Sequence, residues 1–335
     1  MVFIGFACVD PIDLNLASDA GHLVVDGLLT NLPGPYTVKL ARSLPFNNTA
    51  QQPSFFLPEV NATVVIEDDQ DQMIYLHEVS DGAYQTPSDF VALAGRSYTL
   101  NIALADGERY QSTPEHIGNS PSIDSIHYEY LVYQRLQQNS QGTFVETNAT
   151  GFKLTAEFAD PAQTSNFYRW ELSGIFEFFS ITDNPEIKQC WAPVDRLEGN
   201  VVIYSDEFND GQKVFQELAI IPYDRPSYYL VTVNQYSLSE SAYRFWRSFR
   251  DQQLNTGSIF DPAPAPIVGN VHDINNPDKK VVGYFGASAV FQKKVLINRW
   301  RASNNVSPTP YKAPLTGDCR THEPRATNIK PPGFI

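Results

Sequence analysis

The sequence predicts a mainly β protein: an N-terminal immunoglobulin-like or transthyretin-like sandwich, then a second β-rich domain carrying one amphipathic helix. Apolar residues alternate with polar ones in many short runs, turn residues separate those runs, and one stretch alone carries a helical stripe. Short strands joined by Gly- and Asn-bearing turns favour antiparallel sheets over a parallel α/β sheet.

The first strands are read from period two. In YTVKLAR the residues Tyr36, Val38 and Leu40 share one face, and in RSYTLNIAL the set is Tyr98, Leu100, Ile102 and Leu104. Pro33-Gly34-Pro35, Asp81-Gly82 and Asp106-Gly107 supply turns between runs. ATVVIEDDQDQMIYLHEVSDGAY reads as two strands around a solvated acidic tip of Glu67, Asp68, Asp69 and Asp71. Periodicity then stops in STPEHIGNSPS, so residues 113–122 are expected to link a sandwich at 20–112 to a second unit at 123–335.

In the second unit, FKLTAEF (Phe152, Leu154, Ala156, Phe158) and YRWEL (Tyr168, Trp170, Leu172) repeat the alternation. SLSESAYRFWRSFRDQQ predicts a helix near 239–253. Ser237 and Glu240 have capping-box spacing, Ala242, Trp246, Phe249 and Gln253 form a stripe, and Arg244, Arg247 and Arg250 lie opposite. Such a basic helix can lie on a membrane, but its aromatics suffice to pack it on a sheet. FDPAPAPIVGN reads as a rigid connector.

Charge excludes one class of partner. The 38 acidic against 24 basic residues give a net charge of −14, and no Lys/Arg cluster exists to neutralise phosphates, so nucleic acid is not expected. The doublets Lys279-Lys280 and Lys293-Lys294 read as solvated strand ends. No run approaches the ~18–20 apolar residues of a transmembrane helix. The opening FIGFACVDPIDL reads as the tail of a signal peptide whose start is missing, with Ala7-Cys8 resembling the junction at which bacterial lipoproteins are cleaved and lipidated. Gly5 departs from the Leu usual there, and the plain alternative is an ordinary thiol. With Cys8 lipidated, Cys190 and Cys319 remain as an even pair, either one disulfide or two separate buried thiols.

Motifs for chemistry are weak. GASAV places Ser288 in a partial nucleophile elbow, but Val290 replaces the second glycine that the turn needs. The six histidines form no zinc-ligand pair, and His272-Asp273 reads as a turn. In SDEFNDGQKVFQE, Asp206, Asp210, Gly211 and Glu217 fall at EF-hand positions one, five, six and twelve. Phe208 replaces a third oxygen ligand and strand patterns flank the loop, so a hairpin turn is the better reading. No catalytic residue, metal or cofactor is predicted. Carboxylate pairs for glycoside hydrolysis stay open, because they are defined in space.

Several phrases in this order, VVDGLLTNLPGPYTVKLARS, ATVVIEDDQDQMIYLHEVSDGAY, SLSESAYRFWRSFRDQ, FDPAPAPIVGNVHD, VVGYFGASAV and GDCRTHEPRATNIKPPGF, resemble the Bacteroidetes lipoprotein family catalogued as domain of unknown function 4249. The resemblance runs from Cys8 to Phe334. It implies lipidation at Cys8, residues 1–19 as signal remnant and tether, and pairing of Cys190 with Cys319. It also implies a surface-exposed outer-membrane lipoprotein without enzymatic activity. Asp10 and Asp13 resemble surface-export signals. The expected role is an accessory or ligand-capturing partner of a TonB-dependent receptor, with a glycan or peptide as ligand. The alternatives are an exported polysaccharide-acting hydrolase and an envelope adhesin or structural lipoprotein. One departure is the tail: family members carry a glycine-rich stretch after the cysteine, whereas here it reads THEPRATNIKPPGFI.

Overall fold

A computed structural model describes residues 21–44, 56–139, 141–197, 199, 201–254, 267–301 and 315–334. Cys8 and residues 260–266 of the Pro-rich stretch lie outside the described residues. The protein is mainly β, with several multi-stranded sheets and, among the described residues, one α-helix, α1 (Glu240–Leu254). Among those residues no helix is long and apolar enough to cross a membrane.

Two sheets build the first unit. One runs β19 (Val281–Ser288), β1 (Leu23–Thr30), β2 (Thr37–Ser43), β7 (Ala83–Gln85), β6 (His77–Ser80), with β3 (Phe56–Pro58) beside β2. The other runs β18 (Val271–Asp273), β9 (Arg109–Ser112), β8 (Ser97–Ala103), β4 (Thr63–Asp68), β5 (Met73–Tyr75), with β10 (Glu115–His116) beside β8. The alternating sets read from sequence meet in a single core, where Val38, Leu40, Tyr98, Leu100 and Ile102 are buried. Burying each such side chain contributes about 1.5–3 kcal/mol.

The second unit also has two sheets. In one, β12 (Phe144–Ala159) lies between β11 (Ile123–Gln138) and β16 (Lys213–Pro222). In the other, β13 (Phe167–Ile181) is flanked by β14 (Gln189–Val194) and β17 (Tyr228–Leu238), and β20 (Val290–Asn298) follows β17; β15 (Val202–Ser205) and β21 (Leu315–Thr316) also pair with β13. Phe152, Leu154, Phe158, Tyr168 and Trp170 fill the second core.

The chain crosses between units more often than the expected division at 113–122 allows. β18 and β19 return from late in the chain to the first unit, where β19 pairs in parallel with β1 from Leu23↔Val281 to Thr30↔Ser288. Only Ala289 separates β19 from β20, so one nearly continuous strand joins the units. Gly283 permits the close pairing: its φ is +98°, and a Cβ there would overlap the Val25 carbonyl. The expected linker is itself anchored, since Glu115 and Ile117 are fully buried and Glu115 pairs with Tyr98. His272-Asp273 likewise lies in β18 rather than in a turn, with Asp273 Oδ1 accepting from the Asn275 and Asn276 amides that follow.

The acidic tip also differs in part from a fully solvated one. Asp68 is buried, its Oδ1 accepts from the Gln70 and Gln72 amides, and Arg96 pairs with its other oxygen at 2.7 Å. It shapes the turn from inside. Of the lysine doublets, Lys279 pairs with Glu108 and Lys293 Nζ donates to the Ile123 and Asp124 carbonyls.

Cys190 and Cys319 are bonded, with Cα atoms 5.8 Å apart, in a small core with Phe178 and Ala192. The divergent tail then pairs Thr327 with Trp191 and sets the Phe334 ring against the Trp191 indole. Replacing both cysteines by serine is expected to lower the unfolding free energy by up to about 5 kcal/mol, the loop-closure entropy of a 129-residue separation. Urea unfolding measures it, and an unchanged midpoint contradicts a constraining role for the bridge.

Candidate ligand-binding site between the helix and two sheets

The helix begins at a polar joint. Ser239 Oγ accepts from the Ala242 amide at 3.1 Å and Ser239 O from the Tyr243 amide at 2.9 Å, so Ser239 is the N-terminal cap. The expected capping box from Ser237 does not form, because Ser237 belongs to β17 and its Oγ accepts from the Ala289 amide at 3.0 Å. The Glu115 carboxylate reaches the cap from the first unit. It accepts from Ser239 Oγ (2.7 Å), Ser241 Oγ (3.0 Å), Tyr284 OH (2.5 Å) and Asn270 Nδ2 (3.3 Å). Asn270 in turn exchanges both hydrogen bonds with the Phe285 backbone. An anion suits the positive end of a helix, yet burial pushes the Glu115 pKa up, against the lowering effect of its four donors.

So held, α1 covers outward faces that alternation marks as polar. Tyr243 stacks on Phe167 at 4.8 Å, and Phe245 packs on Tyr284 at 4.8 Å. Between α1, the outer face of β1 and β19, and the outer face of β13 lies a cavity of about 430 Å³. Val24, Asp26 and Leu28 line one side, Phe245, Trp246 and Phe249 another, and Arg169, Glu171 and Arg196 the third.

Arg169 is the unusual group in this wall. Only 3% of it is exposed, its Cζ sits 4.7 Å from the Tyr236 ring centroid and 4.2 Å from that of Trp246, and Nη1 donates to Glu171 Oε1 at 2.6 Å. Desolvated stacking of this kind contributes about 2 kcal/mol. Its Nε is buried with no hydrogen-bond partner. Glu171 also accepts from Tyr236 OH at 3.1 Å. Burial opposes its ionisation, but the charge and hydrogen bond of Arg169, with Tyr236 and Arg196, hold its pKa below the ordinary carboxylate value.

The sequence-derived candidates stand apart from this cavity, with one exception. Ser288 lines it, but is only 2% exposed at the end of a strand. Residues 206–212 turn between β15, which pairs with β13, and β16, which pairs with β12, so the segment crosses from one sheet to another and does not close the expected hairpin; Gly211 sits there at φ +70°, and Glu217 lies in β16 opposite Thr155. Asp160, which the pattern gave no reason to include, brings its carboxylate within 4.8 Å of Asp206 and Asp210. Those groups are held by local donors: Asp160 by Tyr168 OH and the Gly211 amide, Asp206 by the Asn166 amide, Asp210 by the Gln163 amide. Burial, then repulsion from Asp206 and Asp210, raises the Asp160 pKa.

The sequence profile described as Domain of unknown function (DUF4249) matches residues 9–294. The chain belongs to this family. No curated protein matches it. The DUF4249 match takes in the whole polar joint and every wall of the cavity, and it ends before Cys319, so the tail that completes the disulfide lies beyond it.

Replacing Glu115 by Ala leaves four donors without their acceptor and is expected to cost about 3 kcal/mol or more. The pH dependence has a definite sign. With its folded pKa raised, the contribution of Glu115 is complete below the ordinary value of 4.5 and declines as pH rises through the raised value. The stability of wild type relative to Glu115→Gln, whose amide does not titrate, therefore falls as pH increases from 4.5 in denaturant titrations. A relative stability that rises with pH contradicts this assignment.

Proposed function

We propose that this DUF4249 protein is a non-enzymatic lipoprotein of the outer membrane, exposed at the cell surface, that captures a ligand as the accessory partner of a TonB-dependent receptor. The observation that carries the reading is the cavity closed by both β units around a buried guanidinium with an unsatisfied Nε. A pre-formed concavity with aromatic walls and a few convergent polar groups is the ordinary form of a small-ligand site. Glu171 favours capture over hydrolysis. A general acid must hold a proton near neutral pH, and this carboxylate is tied to Arg169 and Tyr236 and shifted the other way.

Membrane residence in this reading comes from acyl chains on Cys8, each buried methylene contributing about 0.8 kcal/mol. The receptor would dock on the β11–β12 ribbon. β16 pairs with β12 only from Gly151 onward, so the outer half of the ribbon stands as two strands. Val132, Leu136 and Phe144 share one of its faces, 58%, 67% and 66% exposed. An apolar strip on an unsupported ribbon is suited to a protein partner.

Expression of the full gene in its native cell with an alkyne fatty acid should label the wild type and leave Cys8→Ala unlabelled. A receptor barrel should co-purify from gently solubilised outer membranes, and the double variant Leu136→Ser/Phe144→Ser should weaken its recovery about tenfold or more. An unlabelled wild type refutes the anchor; a protein that emerges without a barrel refutes the partnership.

A further inference from the structure

We infer that the cavity takes a small organic carboxylate, its head on the free edge of Arg169 and its apolar body along α1. The inference rests on the ligand-capturing part of the proposed function and not on the receptor part.

The guanidinium of Arg169 is used on all sides but one. Tyr236 and Trp246 cover its faces, and Glu171 takes Nη1. Nε is left, and with Nη2 it forms the side-on edge whose two parallel N–H groups match the two oxygens of a carboxylate. Burying an N–H without an acceptor is costly, so an unpartnered buried Nε on a side chain that lines a cavity points to that side chain as the place where an acceptor belongs. Arg299 offers a useful contrast. It too is buried with an unpartnered Nε, but its Nη atoms bond Asp224, the Pro222 carbonyl and Ser227, and it does not line this cavity.

Charge selects the head group and its orientation. Glu171 is committed to Arg169 and Tyr236, which leaves the β13 side with the positive charge of Arg196 at its exposed rim. Asp26 lies on the opposite wall, which an anionic head avoids. The remaining space is bounded by Val24, Leu28, Leu238, Phe245 and Phe249, suited to an aryl or branched alkyl body. Its volume of about 430 Å³ lies in the lower part of the ~300–1,000 Å³ range of small-molecule sites.

The test is calorimetric titration, with tryptophan fluorescence, of the purified full chain against phenylacetate, 3-phenylpropanoate and 4-methylpentanoate, each paired with its carboxamide. Saturable binding of at least one acid, about tenfold or more tighter than its amide, is the expected result. Arg169→Gln should erase the difference between acid and amide. Because that variant removes a buried charge and can unfold, Val24→Phe is the second: it fills the cavity from an outward-facing strand position, keeps Arg169, and should abolish binding with an unchanged circular dichroism spectrum. Equal binding of acid and amide overturns the carboxylate assignment and leaves capture standing. No saturable binding by any pair, with a crystal structure showing one ordered water on Nε in the adjoining void of about 30 Å³, overturns the site itself, whether or not a receptor co-purifies.

Discussion

One buried carboxylate holds the arrangement together. Glu115 sits on a strand of the first unit, yet two of its four donors are Ser239 and Ser241 in the opening turn of a helix that follows the second unit's strands. The other two, Tyr284 and Asn270, come from the segment that returns to the first unit. A buried acceptor with four convergent donors tolerates little displacement, because each lost bond leaves a desolvated polar group. The helix is thereby fixed in position and direction. Its own apolar contacts could not do this alone, since Ala242 is the one helix residue that is buried and the aromatics lie half-buried along the cavity.

The second constraint is covalent continuity. β19 lies in a sheet of the first unit and β20 in a sheet of the second, with Ala289 alone between them. The Ser237 backbone and hydroxyl both bond Ala289 at that crossing, and Asn31 Oδ1 accepts from the Val290 amide. With the helix start and the strand crossing both fixed, the space between them keeps its shape. A cavity so bounded is pre-organised, which reduces the ordering cost of taking up a ligand.

The strands and their inward faces were legible in the sequence because period two reports a half-buried strand directly, as Tyr98, Leu100 and Ile102 show. The site was not legible, for the same reason. Alternation in YRWEL assigns Tyr168, Trp170 and Leu172 to a core and leaves Arg169 and Glu171 on the face that reads as solvated. Nothing local reports that a helix some seventy residues later covers that face. The 113–122 stretch misleads similarly: its prolines and serines are linker-like, but burial of Glu115 depends on partners 124–169 residues away. The capping box read from Ser237 and Glu240 fails because β17 extends through Leu238, which moves the helix cap to Ser239. The pair Cys190–Cys319 was legible through parity and family resemblance, since a separation of 129 residues carries no local signal.

The most direct measurement is amide hydrogen exchange of wild type against Glu115→Ala, resolved by residue. If the carboxylate positions the helix, the amides of Ala242, Tyr243 and Phe285 lose protection, on the order of a hundredfold for ~3 kcal/mol of local stability, while Leu100 and Ile102 within the first core exchange as before. Unchanged protection in the first turn of α1 would contradict that role for Glu115, as would a uniform loss across both units.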